Sequence, residues 1–266
     1  MISFIISFTL VIASSLNLPI EKMKNSFGMI QVGVKVVPID PENVDLLAIS
    51  IMNNIIDSPF MRASSFIVKH KKEKTIHLTS EHVCTEILKF QKPEKFKSIK
   101  DSVISAAIIS DLFSNTKLED QINVIPNIYV KDFFGNKYSF DKVIKTDNKS
   151  DLCKFTTHTK WGNKSEINEL DCSYGERVYN IASSGGFYSK NSVPFREGNF
   201  SGIYLEKENN EKIKRNLYTI ESLPGSSGSG VYSKNGKLCG NINISYSKSN
   251  LSLGATRIDL IEFLKN

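Results

Sequence analysis

The segment Leu223-Pro-Gly-Ser-Ser-Gly-Ser-Gly-Val231 decides how the rest of this 266-residue chain is read. It is a Gly/Ser turn set between strand-like runs at Leu217–Ile220 and Gly230–Ser233. A serine hydroxyl is a poor nucleophile near neutrality. It needs a general base, an acid that orients the base, and two backbone N–H groups aimed at the developing oxyanion. Gly225-Ser-Ser-Gly228 is built for such a turn, because Gly225 and Gly228 reach the positive φ values that let amides converge, and Pro224 stiffens the approach. The candidate nucleophile is Ser227. A flexible loop with no chemistry has the same composition, so the surroundings must decide.

Outward from this loop the chain reads as many short strands. Ile122–Val130, Tyr138–Ile144 and Leu152–Thr157 precede it, with a turn at Phe134-Gly-Asn-Lys137. Arg177–Ala182, Phe200–Leu205, Leu238–Ile244 and Leu253–Ile258 continue the series, punctuated by Gly or Asn. Upstream, Met29–Val37 alternates up to Pro38, and Ser64–His70 with Thr75–Thr79 reads as a hairpin around the basic run Lys69–Lys74. The apolar run Val44–Ile56 fits a strand or a short helix. Residues 91–120 read as an insertion with one apolar patch at Val103–Phe113, and Asp259–Lys265 has helical spacing. The pattern predicts an all-β barrel or sandwich architecture with a C-terminal helix.

Length allows one large or two small domains, since domains of about 100–200 residues are usual. A 40% hydrophobic, 23% charged composition supports a buried core. The net charge of +6 is spread along the chain, not interleaved with aromatics, so no nucleic-acid partner is expected. Residues 1–19 carry no charge and end near Ala13-Ser-Ser15, which resembles a secretory signal or anchor, although the usual basic start is missing. A buried N-terminal element is the alternative, and membrane association is expected only through this segment. The four cysteines, Cys84, Cys153, Cys172 and Cys239, form no C-x-x-C. They are expected as free buried thiols, which points to a reducing compartment. A signal would point to secretion, so the localisation is left open between secreted or membrane-associated and cytoplasmic.

Three segments carry a resemblance. Ile76-His-Leu-Thr-Ser-Glu-His-Val-Cys84, preceded by Ala63-Ser-Ser-Phe-Ile-Val68, looks like a strand-to-turn histidine motif. Lys149-Ser-Asp-Leu-Cys-Lys-Phe155 looks like an aspartate opening an apolar strand, and Pro224–Val231 with Gly236-Lys-Leu-Cys-Gly240 looks like a nucleophile loop and its hairpin. In this order they resemble the trypsin-like, chymotrypsin-fold serine protease superfamily, in its compact bacterial, phage and viral form, over residues 60–265. The resemblance implies two six-stranded antiparallel β-barrels and a C-terminal helix. It divides the chain into residues 20–120, an N-terminal barrel with an extension and a loop insertion, and residues 121–266, the remainder of the domain with the C-terminal barrel. It implies a serine endopeptidase acting on polypeptides through His82, Asp151 and Ser227. The amides of Gly225 and Ser227 would form the oxyanion hole, and no metal or organic cofactor is required.

Asp141 and Asp147 compete with Asp151 for the acid; Asp151 is preferred because it alone opens an apolar strand. His77 lies five residues before His82, but no third ligand is placed nearby for a metal, and His70 and His158 read as surface residues. By the resemblance, Glu221, six residues before Ser227, would lie at the base of the primary specificity pocket and favour Lys or Arg. Asn243, Ile244 and Ser245 would form the opposite wall and the edge that pairs with substrate backbone. The other reading of Glu221 is a solvent-facing strand end. Two departures stand out. Ser226 occupies the place where digestive relatives carry an aspartate that pairs with a newly cut N-terminus, and Cys84 has no upstream partner. A catalytically silent binding module is the rival function. An esterase would need G-x-S-x-G followed by a helix, and here strands follow.

Overall fold

A computed structural model describes residues 19–40, 49–50, 53, 59–92, 94, 98, 101–102, 122–208, 211–246 and 249–265. Three regions read from the sequence lie outside the described residues: residues 1–18, most of the run Val44–Ile56, and the Val103–Phe113 patch of the 91–120 stretch.

Six strands close into a barrel: β1 (Phe27–Pro38), β2 (Met61–Lys71), β3 (Lys74–Thr79), β4 (Ile122–Asp132), β5 (Lys137–Asp147) and β6 (Leu152–Thr157), in the order β1-β2-β3-β6-β5-β4. The basic run does form the tip of the β2–β3 hairpin, with Lys72 at φ 54°. β6 is buried along its whole length, as expected of a continuous run Leu-Cys-Lys-Phe-Thr-Thr held between β3 and β5. Asp151 enters it from a turn at φ 51°, a left-handed conformation that aspartate tolerates better than most residues.

The second sheet comprises β7 (Arg177–Ile181), β8 (Phe195–Glu208), β9 (Glu211–Tyr218), β10 (Ser229–Ser233), β11 (Leu238–Ile242), β12 (Ile244–Tyr246) and β13 (Leu251–Gly254), in the order β11-β10-β7-β8-β9-β13-β12. The expected second six-stranded barrel is instead a seven-stranded sheet that no ladder closes among the described residues. Its β11 and β13 approach so tightly that a Cβ at Gly254 would collide with the Asn241 carbonyl. The Ala255 amide there donates to Asn241 Oδ1 (3.0 Å). A side chain thus bridges the place where a closing ladder would run. β8 is also long enough, at 14 residues, to pair first with β7 and then with β9.

One apolar cluster joins Phe27, Phe66 and Leu152 of the barrel to Tyr179, Ile181 and Tyr232 of the sheet. The helix Arg257–Lys265 covers it with Leu260 and Phe263. That helix begins two residues before the run read from its spacing, because Thr256 and Asp259 form a reciprocal cap: Thr256 N–H to Asp259 Oδ2 (2.8 Å) and Asp259 N–H to Thr256 Oγ1 (3.2 Å). The chain divides into two compact units, one from the described parts of segments 1–30, 62–84 and 130–266, the other from those of 31–61 and 85–129. In the second unit Asn53 brackets the backbone of Val36 (2.9 and 3.0 Å), and Phe60 packs on Phe90. Among the described residues no helix is long and apolar enough to cross a membrane.

The expectation of free thiols is corrected. Cys84 bonds to Cys153 and Cys172 to Cys239, with Cα–Cα distances of 6.3 and 5.8 Å. The partners are 69 and 67 residues apart, so topology and not spacing makes them neighbours. The β3–β6 ladder, for instance, sets Thr79 opposite Cys153.

His77 is a core residue. Its ring stacks on Phe155 (4.9 Å between centroids) and leans on Trp161 (5.0 Å). Burial, helped by the nearby His70, pushes its pKa down from 6.5 to about 3. The unfolded chain therefore takes a proton near 6.5 that the folded chain refuses until about 3. Stability is lost as pH falls through that interval, with a slope approaching about 1.4 kcal/mol per pH unit. Urea midpoints at pH 7 and pH 5 should diverge more in the wild type than in His77→Phe; equal divergence would contradict this assignment.

Candidate functional site

Ser227 sits in a turn fastened from below by backbone and hydroxyl groups. Its carbonyl accepts the amide of Ser64 on β2 (2.9 Å), and the amide of the next residue, Gly228, donates to Ile242 (2.7 Å). Gly228, at φ 84°, lies so close to β2 and β3 that a Cβ would collide with Thr79 Oγ1 and the Ser64 carbonyl. Only glycine fits, and the turn is pressed against the strand that leads to His82. On the other side the Gly225 carbonyl accepts both Ser64 Oγ (2.8 Å) and Ser183 Oγ (3.0 Å). The Pro224 carbonyl accepts the Gly185 amide (2.8 Å). In a trans peptide the Gly225 N–H then points the opposite way. No hydrogen bond among the described residues uses the amide of Gly225 or Ser227.

Ser226 is buried and does local work. Its hydroxyl donates to Ser184 Oγ (3.0 Å), its carbonyl accepts Ser229 Oγ (2.7 Å), and its amide donates to Leu223 (2.9 Å). A network of serine hydroxyls therefore holds Ser226 in place.

His82 is the second residue of the helix Glu81–Phe90, where the reading of the sequence had a turn. Its Nδ1 lies 3.0 and 3.1 Å from the two carboxylate oxygens of Asp151, and its backbone amide donates to Oδ1 (3.1 Å). Of the three aspartates in competition, Asp151 is thus the one bonded to His82. Asp141 is held by Lys74 (2.7 Å) and Thr156 Oγ1 (2.8 Å), and the Lys74 bond, ahead of all else, lowers its pKa. Asp147 caps its own turn through Ser150 Oγ (2.7 Å) and the Lys149 amide (3.0 Å). The His82 side chain is 48% exposed. The Asp151 side chain is only 14% exposed, and further groups beneath the pair help to fix its geometry.

Asn243 is one such group. Its Nδ2 donates to the carbonyls of Ser150 (3.1 Å) and Asp151 (3.0 Å), and its Oδ1 accepts Ser80 Oγ (2.8 Å) and Asn241 Nδ2 (2.5 Å). Expected in a pocket wall, it is buried between the residue that precedes the His82 helix and the turn that bears Asp151. Ile244 and Ser245 lie on β12, an end strand paired only with β13 among the described strands. Ser245 Oγ meets Ser222 Oγ (2.6 Å), which sets β12 beside the segment after Glu221. Glu221 is ion-paired with Arg196.

Ser64, Ser183, Ser80 and Arg196 were not singled out from the sequence. The only signal was polarity inside an apolar strand, as in Ala63-Ser-Ser-Phe-Ile-Val68, and that pattern carries no partner information. Among the described residues no group of three or more His, Cys, Asp or Glu side chains is placed to hold a metal ion.

No family model matches the chain, and no curated protein matches it. Among solved structures it is similar to the serine endoprotease from Yersinia pestis, with a TM-score of 0.57 and 12% identity over 94% of this chain. The match spans 65% of that protein's length. At this identity the likeness is one of fold: the chain has a protease-like β-barrel fold.

Asn243→Leu would strip two buried carbonyls and the Ser80 hydroxyl of their partner. It should destabilise the protein by about 2 kcal/mol or more in denaturant titration. A cost below about 0.5 kcal/mol would mean that Asn243 braces nothing.

Proposed function

We propose that the chain is a serine endopeptidase whose triad is His82, Asp151 and Ser227. The observation that carries this reading is the Asp151 carboxylate gripping Nδ1 of His82, while the Ser227 turn is fastened to the strands that lead to His82. With Nδ1 held by Asp151, Nε2 is the nitrogen that would exchange a proton with Ser227. Ser227 Oγ attacks the scissile carbonyl and gives its proton to His82. The oxyanion forms against the amides of Gly225 and Ser227, neither of which is used elsewhere among the described residues. Collapse breaks the C–N bond, the amine leaves with the proton from His82, and water hydrolyses the acyl-serine by the same steps.

A polypeptide substrate fits the end strand β12, since an extended chain can add to an edge by backbone hydrogen bonds. Glu221 is a weaker attractor of Lys or Arg than its position alone implies, because Arg196 already neutralises it. Membership of the trypsin-like superfamily is part of the same proposal, with the open seven-stranded sheet in the place of a second closed barrel.

A fluorophosphonate should label Ser227 in the folded protein, and Ser227→Ala should abolish labelling. Asp151→Asn should lower kcat by about 10³–10⁴-fold through the wrong histidine tautomer. A folded protein whose Ser227 stays unmodified would leave a silent binding module as the function. For specificity, Arg196→Ala should raise cleavage after Lys and Arg relative to other residues in a peptide library. An unchanged profile in both Arg196→Ala and Glu221→Ala would remove Glu221 from the pocket.

A further inference from the structure

We infer that the Cys84–Cys153 disulfide is a positioning device for the His82–Asp151 pair. The inference rests on the triad reading for its catalytic consequence, but its geometry stands alone. Cys84 is two residues after His82, and Cys153 is two residues after Asp151. One covalent bond thus joins the first turn of the helix Glu81–Phe90 to the start of β6, next to both members of the pair. Both cysteines are fully buried, whereas the His82 side chain is about half exposed.

The neighbouring links run along the same seam. Thr79, three residues before His82, faces Cys153 across the β3–β6 ladder. Asn243 ties Ser80 to the Asp151 carbonyl. These contacts fix the end of β3 and the Asp151 turn, but neither reaches past His82 into its helix. Cys84 does. It is a covalent link beyond His82 that restrains the first turn of the helix, residues 81–84, against β6, and so helps keep Nδ1 at 3.0 Å from the carboxylate. The Cys172–Cys239 bond lies in a separate apolar cluster with Val178, Phe200 and Tyr218, and provides an internal control.

The experiment compares the wild type, Cys84→Ala/Cys153→Ala and Cys172→Ala/Cys239→Ala. Two readouts are used: the low-field proton resonance of an imidazole Nδ1–H held by a carboxylate, and the rate of Ser227 labelling by a fluorescent fluorophosphonate. Without the Cys84–Cys153 bond the resonance should broaden away and labelling should slow by about 10–100-fold, the range expected for a displacement near 1 Å. The control variant should keep the resonance and label within about twofold of wild type. A second route avoids substitution at the seam. In the Cys172→Ala/Cys239→Ala background, dithiothreitol reduces only the remaining bond. Its first thiolate breaks the S–S bond to form a mixed disulfide, and its second closes the oxidised ring, leaving two cysteine thiols. Reoxidation should restore both readouts. A folded protein lacking the bond with a sharp resonance and an unchanged rate would overturn the proposal. So would global unfolding by both routes, which would make the bond a staple of the whole fold. A wild type that is never labelled, but whose resonance depends on this bond and not on the other, would sink the protease reading and leave the positioning role standing.

Discussion

The hydrogen bond from the Ser64 amide to the Ser227 carbonyl is the joint on which the site depends. It binds the loop between Ile220 and β10 to the second strand of the barrel, with Gly228 packed against Thr79 and Ser80 where no side chain could fit. The distance from this turn to His82 is therefore set by backbone, not by flexible side chains. The same Ser64 contributes its hydroxyl to the Gly225 carbonyl and accepts the Ser183 amide (3.0 Å), so one residue holds the turn at both ends. Each such bond is worth only about 1 kcal/mol net. Removing a partner is costlier, because the groups left behind are buried.

The division of labour follows from exposure. The His82 side of the His82–Asp151 pair opens to solvent, while Asp151 is largely covered. Rigidity comes from groups out of contact with water: Asn243 with all four of its hydrogen-bonding positions filled, Thr79 holding the Ser64 carbonyl (2.8 Å), and the buried disulfide beside the pair.

Local signals were legible in the sequence and long-range ones were not. β6 was read to the residue, because Leu152–Thr157 is a continuous run bounded by a turn. The Gly225–Gly228 turn was legible because positive φ leaves a glycine signature, and both glycines have it, at φ 98° and 84°. The helix Glu81–Phe90 was passed over as a turn, although Val83, Ile87 and Phe90 recur at helical spacing and are all buried. What could not be read were relations across the chain. Nothing local pairs Cys84 with a residue 69 positions away, pairs Arg196 with Glu221, or ties Asn243 to the Asp151 carbonyl. The sheet fell short of a closed barrel for a similar reason. There the side chains of Asn241 and Asn216 bridge to the backbone, at a spot where the strand pattern alone predicts a ladder.

A crystal structure of the protein treated with a peptidyl boronic acid would decide between chemistry and fold alone. The proposed site requires boron bonded to Ser227 Oγ, one boron-bound oxygen within hydrogen-bonding distance of the Gly225 and Ser227 amides, and His82 Nε2 within reach of the adduct while Nδ1 keeps Asp151. Boron on another residue, or a Ser227 adduct with its oxygen turned away from those two amides, would contradict it.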